Sequence, residues 1–264
     1  MDITISGVII AIALLLVPIA IILRFKIPIA EQAMTTVVRV AIQLTLVCAY
    51  IFYLYEWNST WVNLLWLVLM GGATAYALTA RSKLKLMPML IPVVTGVLVA
   101  AFVVGMIVLW PVMRLGNPFE TRFFLPIMAM LLASILDVCA VGLRHYYHTA
   151  NERQQQYYYM LGNSATRTEA ITPFLREAFV KAFTPQLANL SMLGMITLPL
   201  LLTSLLLGGW QPLQAVKMVL VIICATLAAS SLALLITLFV SNTYLFDKHN
   251  RMKNVLQSQT PKEE

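Results

Sequence analysis

Long uninterrupted apolar runs make up most of this chain, in place of the alternation that marks half-buried strands. Seven runs reach the roughly 20 residues that a membrane-spanning helix needs. They are Ile3 to Leu23, Met34 to Tyr55, Trp57 to Ala80, Leu86 to Met113, Phe123 to Leu143, Leu190 to Trp210 and Met218 to Phe246. Lipid leaves no free sheet edge satisfied, and unbroken runs lack the period of a barrel strand. The pattern therefore predicts an all-α polytopic membrane protein with seven transmembrane helices, forming one transmembrane domain over residues 1–264. The first run follows Met1 and Asp2 instead of a basic stretch, so it reads as a retained span and not as a signal peptide.

One polar segment, residues 144–189, is too long for a simple link. Within it Ile171, Phe174, Leu175, Ala178, Phe179, Ala182 and Phe183 recur at the spacing of one helix face. Thr172 and Pro173 predict the start of that helix and Pro185 its end, while the spacing of Thr166 and Glu169 fits a capping box on a shorter helix before it. Such a helix can lie on the membrane, pack on its own chain, or dock a cytoplasmic partner.

Composition supports the membrane reading. Hydrophobic residues make up 60% of the chain and charged ones 11%, with a mean hydropathy of +0.84; soluble domains carry roughly 25% charged residues. The net charge of +7 comes from 18 basic and 11 acidic residues, and its placement decides its meaning. Fourteen of the basic residues fall on one side of the predicted spans and only Arg114 and Arg122 on the other. The positive-inside rule then predicts an outside N-terminus and a cytoplasmic C-terminus in the plasma membrane, with lipid and not nucleic acid as the surrounding partner. Cys48, Cys139 and Cys224 all lie in apolar runs and read as small buried apolar residues.

The chain holds no GxxxxGK[ST] loop, no GxSxG and no HExxH. An enzyme is not expected, no cofactor is expected in this chain, and any ATP would be bound by a partner subunit. His145 and His148 stand one turn apart but lack an obvious third ligand, so they read as interfacial polar residues. Two charges inside runs stand out. Asp137 lies about 9 Å short of the cytoplasmic end of its run at 1.5 Å per residue, where a carboxylate must face a cavity or a partner, or be neutralised. Arg39 can snorkel to the headgroups, and Gln43, one turn on, then needs an interhelical partner. Pro199 interrupts the sixth run with Thr203 one turn further, a hinge or a simple kink.

Several of these residues also form a known pattern. Arg39, Gln43 and Leu44 match a family R-A-x-x-Q-L in the second span. Pro126, Ile127 and Met130 resemble P-I-x-G-M, and Leu161, Gly162, Ala165 and Thr166 resemble L-G-A-T with two residues inserted. Leu198, Pro199, Thr203, Leu207, Gly208, Pro212, Ala215, Val216 and Lys217 follow a fourth motif. The chain thus resembles the FetB/YbbM family (UPF0014), membrane subunits of small ABC transporters associated with iron export, whose plant relatives are aluminium-tolerance half-transporters linked to nucleotide sugars. Leu201 and Leu202 replace the family's paired methionines, and Ala188 its asparagine.

The resemblance implies a permease subunit that forms a homodimer and pairs with a separate ABC ATPase to move a small solute. Arg39, Gln43, Asp137, Pro199 and Thr203 are the expected pathway or hinge residues, and Ile171, Phe174, Leu175, Ala178, Phe179 and Phe183 the expected ATPase-docking face. The alternative is an ATP-independent secondary transporter or channel in which Asp137 carries a proton.

Overall fold

The computed structural model describes residues 18, 21–22, 24–25, 30–192 and 200–245. The chain divides into two compact units, Met1–Trp57 and Asn58–Glu264. In the first, helix α1 (Ala30–Trp57) is 28 residues long. It exceeds the predicted run at both ends and supplies a candidate span, Thr35–Trp57.

The second unit contains α2 (Thr60–Arg81), α3 (Leu86–Ile107, prolonged by a π-helical turn Val108–Val112), α4 (Thr121–Glu152), α5 (Gln154–Gly162), α6 (Arg167–Ser191), α7 (Leu200–Leu207) and α8 (Pro212–Leu245). Among the described residues five helices are long and apolar enough to cross a membrane: α1, α2, α3 with its π turn, α4 and α8. Most of the first predicted span and residues 193–199 of the sixth, Pro199 among them, lie outside the described residues.

Polar staples fix the relative directions of the helices. Asn63 near the start of α2 bonds Thr121 at the start of α4, and Ser82 just beyond α2 donates to the Ala140 carbonyl further along α4. Ser134 of α4 donates to the Thr226 carbonyl of α8, and Tyr146 to Asn242. Helices α2, α4 and α8 therefore run the same way.

Close packing comes from small residues, because lipid provides no hydrophobic drive between helices. Ala225, Ala229, Ala233, Thr237 and Ser241 recur every fourth residue of α8 and are all buried. Gly96 of α3 meets this stripe. A Cβ there would sit 2.9 Å from the Thr237 backbone nitrogen and 3.1 Å from the Ala233 carbonyl oxygen, so the two backbones touch.

Two predicted boundaries move. Helix α4 does not stop at Leu143 but runs to Glu152, giving 32 residues and about 48 Å, well beyond a hydrocarbon core of about 30 Å. Its overhang is held against α8 by Tyr146, which donates to Asn242 Oδ1 at 2.8 Å, and by Tyr147, which donates to Ser241 Oγ at 2.6 Å. Likewise α6 is one helix of 25 residues from Arg167 to Ser191 and passes through both Pro173 and Pro185. The capping box is formed, with Thr166 and Glu169 each bonding the other's backbone amide. It opens the long helix itself, because Pro173, lacking only one donor, does not force a break.

Candidate functional site

The expected pathway residues fall in different units. Arg39 and Gln43 are exposed on α1, where with Thr35, Val38 and Ile42 they line a shallow concavity of about 430 Å³ on one helix face. Asp137 and Thr203 belong to the second unit. The Thr203 hydroxyl donates to the Leu200 carbonyl at 2.7 Å, a bond within its own helix.

Asp137 has a partner that sequence reasoning missed. Arg81 Nη1, at the last residue of α2, lies 3.2 Å from Asp137 Oδ1. Because α2 and α4 are parallel and in register from Asn63 onward, the end of α2 comes level with Asp137. The missing signal was that register, since the two residues are 56 positions apart in sequence. Both side chains remain largely exposed on the second unit, at 58% and 75%. The pair is worth less than about 1 kcal/mol where water screens it; its larger effect is to neutralise a carboxylate that would otherwise stand alone inside an apolar run.

Helix α6 runs antiparallel to α4. Glu177 of α6 meets Arg153 at 2.9 Å and approaches His145 at 3.8 Å. Further along, Gln186 Nε2 reaches Ser134 Oγ at 3.5 Å. Arg167 at the head of α6 donates to the Asn242 carbonyl of α8. Segment 144–189 is therefore not a loop standing apart from the spans. Its first nine residues continue α4, and the second half of α6 lies alongside the apolar part of α4.

That packing changes the meaning of the apolar face. Ile171, Phe174 and Ala178 are buried, while Leu175, Phe179 and Phe183 are half-buried against the same core. Phe179 and Phe183 stack with ring centroids 5.9 Å apart. The face expected to dock an ATPase is in this structure used within the chain, because an apolar stripe beside α4 is covered by the nearest apolar surface. The α5–α6 corner is also exposed, with Tyr158, Tyr159, Asn163 and Ser164 outward, as is the opposite face of α6 with Arg176, Val180 and Lys181.

His145 faces Glu177, and His148 Nδ1 lies 3.2 Å from Glu152. Among the described residues no three His, Cys, Asp or Glu side chains gather in a metal-binding group. The three cysteines are free; Cys139 is buried, whereas Cys48 and Cys224 are exposed, against the expectation that all three are buried.

Parallel apolar helices of spanning length, tied by internal polar staples, define an integral membrane protein. The chain belongs to the Uncharacterised protein family (UPF0014), whose model matches residues 5–246. It is 26% identical over 136 residues to the UPF0014 membrane protein YjkA of Bacillus subtilis, spanning about half of either chain (52% and 54%). It is 24% identical to the protein ALUMINUM SENSITIVE 3 of Arabidopsis thaliana, covering 89% of this chain and 84% of that one. It is 23% identical to the probable iron export permease protein FetB of Escherichia coli, covering 92% and 93%. No solved structure is significantly similar.

Proposed function

We propose that this chain is the membrane-spanning permease subunit of an ABC transporter in the plasma membrane, working as a homodimer with a separate ATPase to export a small solute. The observation that carries the reading is the near full-length likeness to the probable iron export permease protein FetB. The course of α6 agrees with it, since one helix joins the polar end of the bundle to the middle of α4. Arg39, Gln43, Asp137, Pro199 and Thr203 remain the proposed pathway or hinge residues.

In this reading the ATPase meets the exposed α5–α6 corner and not the buried Ile171, Phe174 and Ala178 of α6. A charge at Tyr159 then blocks docking without disturbing the core: Tyr159→Glu is expected to abolish co-purification of the ATPase while the permease keeps its thermal stability. Undiminished co-purification would remove the corner from the interface.

Iron is the first cargo to test. Leu201 and Leu202 offer no thioether to a soft ion, so Cu(I) is not expected to be carried. ATPase stimulation of the reconstituted complex by iron, and not by Cu(I) or nucleotide sugars, is the expected result. Stimulation by sugars alone would move the cargo to the organic class, and strong stimulation by Cu(I) would overturn the argument from the two leucines. A proton carrier at Asp137 is disfavoured by the ion pair with Arg81; proton-driven transport without any ATPase would restore it.

A further inference from the structure

A second site lies on the second unit, in the groove between the end of α2, α4 and α6. It is a cavity of about 420 Å³ lined by Arg81, Arg144, His145, His148 and Lys181, with Ala140 and Val141 as its apolar part. The volume is within the range of small-molecule pockets. No carboxylate lines it. Three of its polar residues have acidic neighbours: Asp137 beside Arg81, Glu177 beside His145, and Glu152 beside His148. Among the described residues Arg144 and Lys181 have no carboxylate partner, and both are exposed.

Two uncompensated cations and the free edge of a third, converging on one cavity, call for an anion. Its location selects the kind. Residues 140 and 141 end the apolar run of α4 and Arg144 begins the polar overhang, so the groove has an apolar floor on one side and cations on the other. An arginine and a lysine around such a step suit a phosphate oxygen cluster, with Arg supplying a planar fork and Lys a point charge. Basic pockets between spanning helices hold lipid headgroups in this way.

We propose that this groove binds a phosphate ester, held by Arg144 and Lys181 with Arg81 at its rim, the ester being part of a phospholipid headgroup or of a soluble phosphate compound. Arg81 links the groove to Asp137, one of the proposed pathway residues, but the proposal does not depend on which solute is transported.

The test uses the purified full-length chain in neutral detergent, with ligand retention read by native mass spectrometry. The probes are phosphatidylglycerol, zwitterionic phosphatidylcholine as control, and soluble glycerol 3-phosphate and inorganic phosphate as competitors. The wild type is expected to retain phosphatidylglycerol over phosphatidylcholine. Arg144→Gln and Lys181→Gln should each lower retention roughly tenfold, the scale of one charge-assisted hydrogen bond, and Lys181→Arg should preserve it. Displacement of the lipid by glycerol 3-phosphate or phosphate identifies a soluble source, and resistance to it a lipid source. Both substituted side chains are exposed, so the variants should melt as the wild type does; if the Arg144 variant misfolds, Lys181→Gln against Lys181→Arg decides alone. Equal retention of the two lipids with no binding of soluble phosphate overturns the proposal, as does unchanged retention in the Gln variants.

Discussion

At the scale of single residues, Asp137 and Gly96 show opposite degrees of visibility. Asp137 announces itself as a charge in an apolar run, but its partner follows only from the register of two helices. If neutrality at this point is what transport needs, Asp137→Asn leaves Arg81 uncompensated and should cut vesicle transport about tenfold, the order of one charge-assisted contact. The double variant Arg81→Gln/Asp137→Asn should recover part of that loss. Full activity in Asp137→Asn alone would reduce the carboxylate to a structural detail. Gly96 gives no such warning, because a glycine in an apolar run looks like any other. Its Cβ would press on backbone atoms of α8, which cannot rotate away. Gly96→Leu should destabilise the chain by at least about 1–3 kcal/mol, seen as a lower melting temperature in detergent. Gly72, whose Cβ would meet nothing within 4 Å, is the matched control, and Gly72→Leu should melt as the wild type does.

At the scale of elements, α6 carries the main lesson about reading sequence. Its periodicity, its capping box and its apolar face were all legible, as were the long runs that became α1 to α4 and α8. What the face touches was not, because an amphipathic stripe has the same spacing whether it meets lipid, a partner or its own chain. Proline was also over-read, since α6 absorbs two of them at the loss of one hydrogen bond each. The buried face makes a clear forecast: Phe174→Glu should lower the melting temperature of the permease itself, instead of releasing an otherwise intact ATPase. At the other end of the helix, Thr166→Ala should cost about 1 kcal/mol through the lost cap. The Thr166 backbone amide, and secondarily its hydroxyl, hold the Glu169 carboxyl below its ordinary 4.5. A lowered folded value means that this contribution is present above about pH 4.5 and lost as pH falls through the lowered value. The protection factors of amides in the first turn of α6, corrected for the intrinsic pH dependence of exchange, should therefore fall on acidification in the wild type and be low at every pH in Glu169→Ala, which has no acceptor for the Thr166 amide.

For the whole molecule, the membrane class was readable because a bilayer permits so few architectures. The stripe of Ala225, Ala229, Ala233, Thr237 and Ser241 was equally present in the sequence, and a search for small residues at fourfold spacing would have found the seam of the bundle. The Arg81–Asp137 pair and the basic groove were beyond reach, because each gathers residues from separate helices whose register no local pattern encodes. The course of α6 has one consequence in mechanics. It packs closely on α4 at Ala182, since a Cβ added at Gly142 would lie 3.2 Å from the Ala182 Cβ; from there about 22 Å of helix extends back to Arg167 and about 13 Å onward to Ser191. A stiff rod resting on a fulcrum divides motion in the ratio of its arms. If α6 pivots there, a push of about 5 Å at the Arg167 end would emerge as a counter-swing of roughly 3 Å at the Ser191 end.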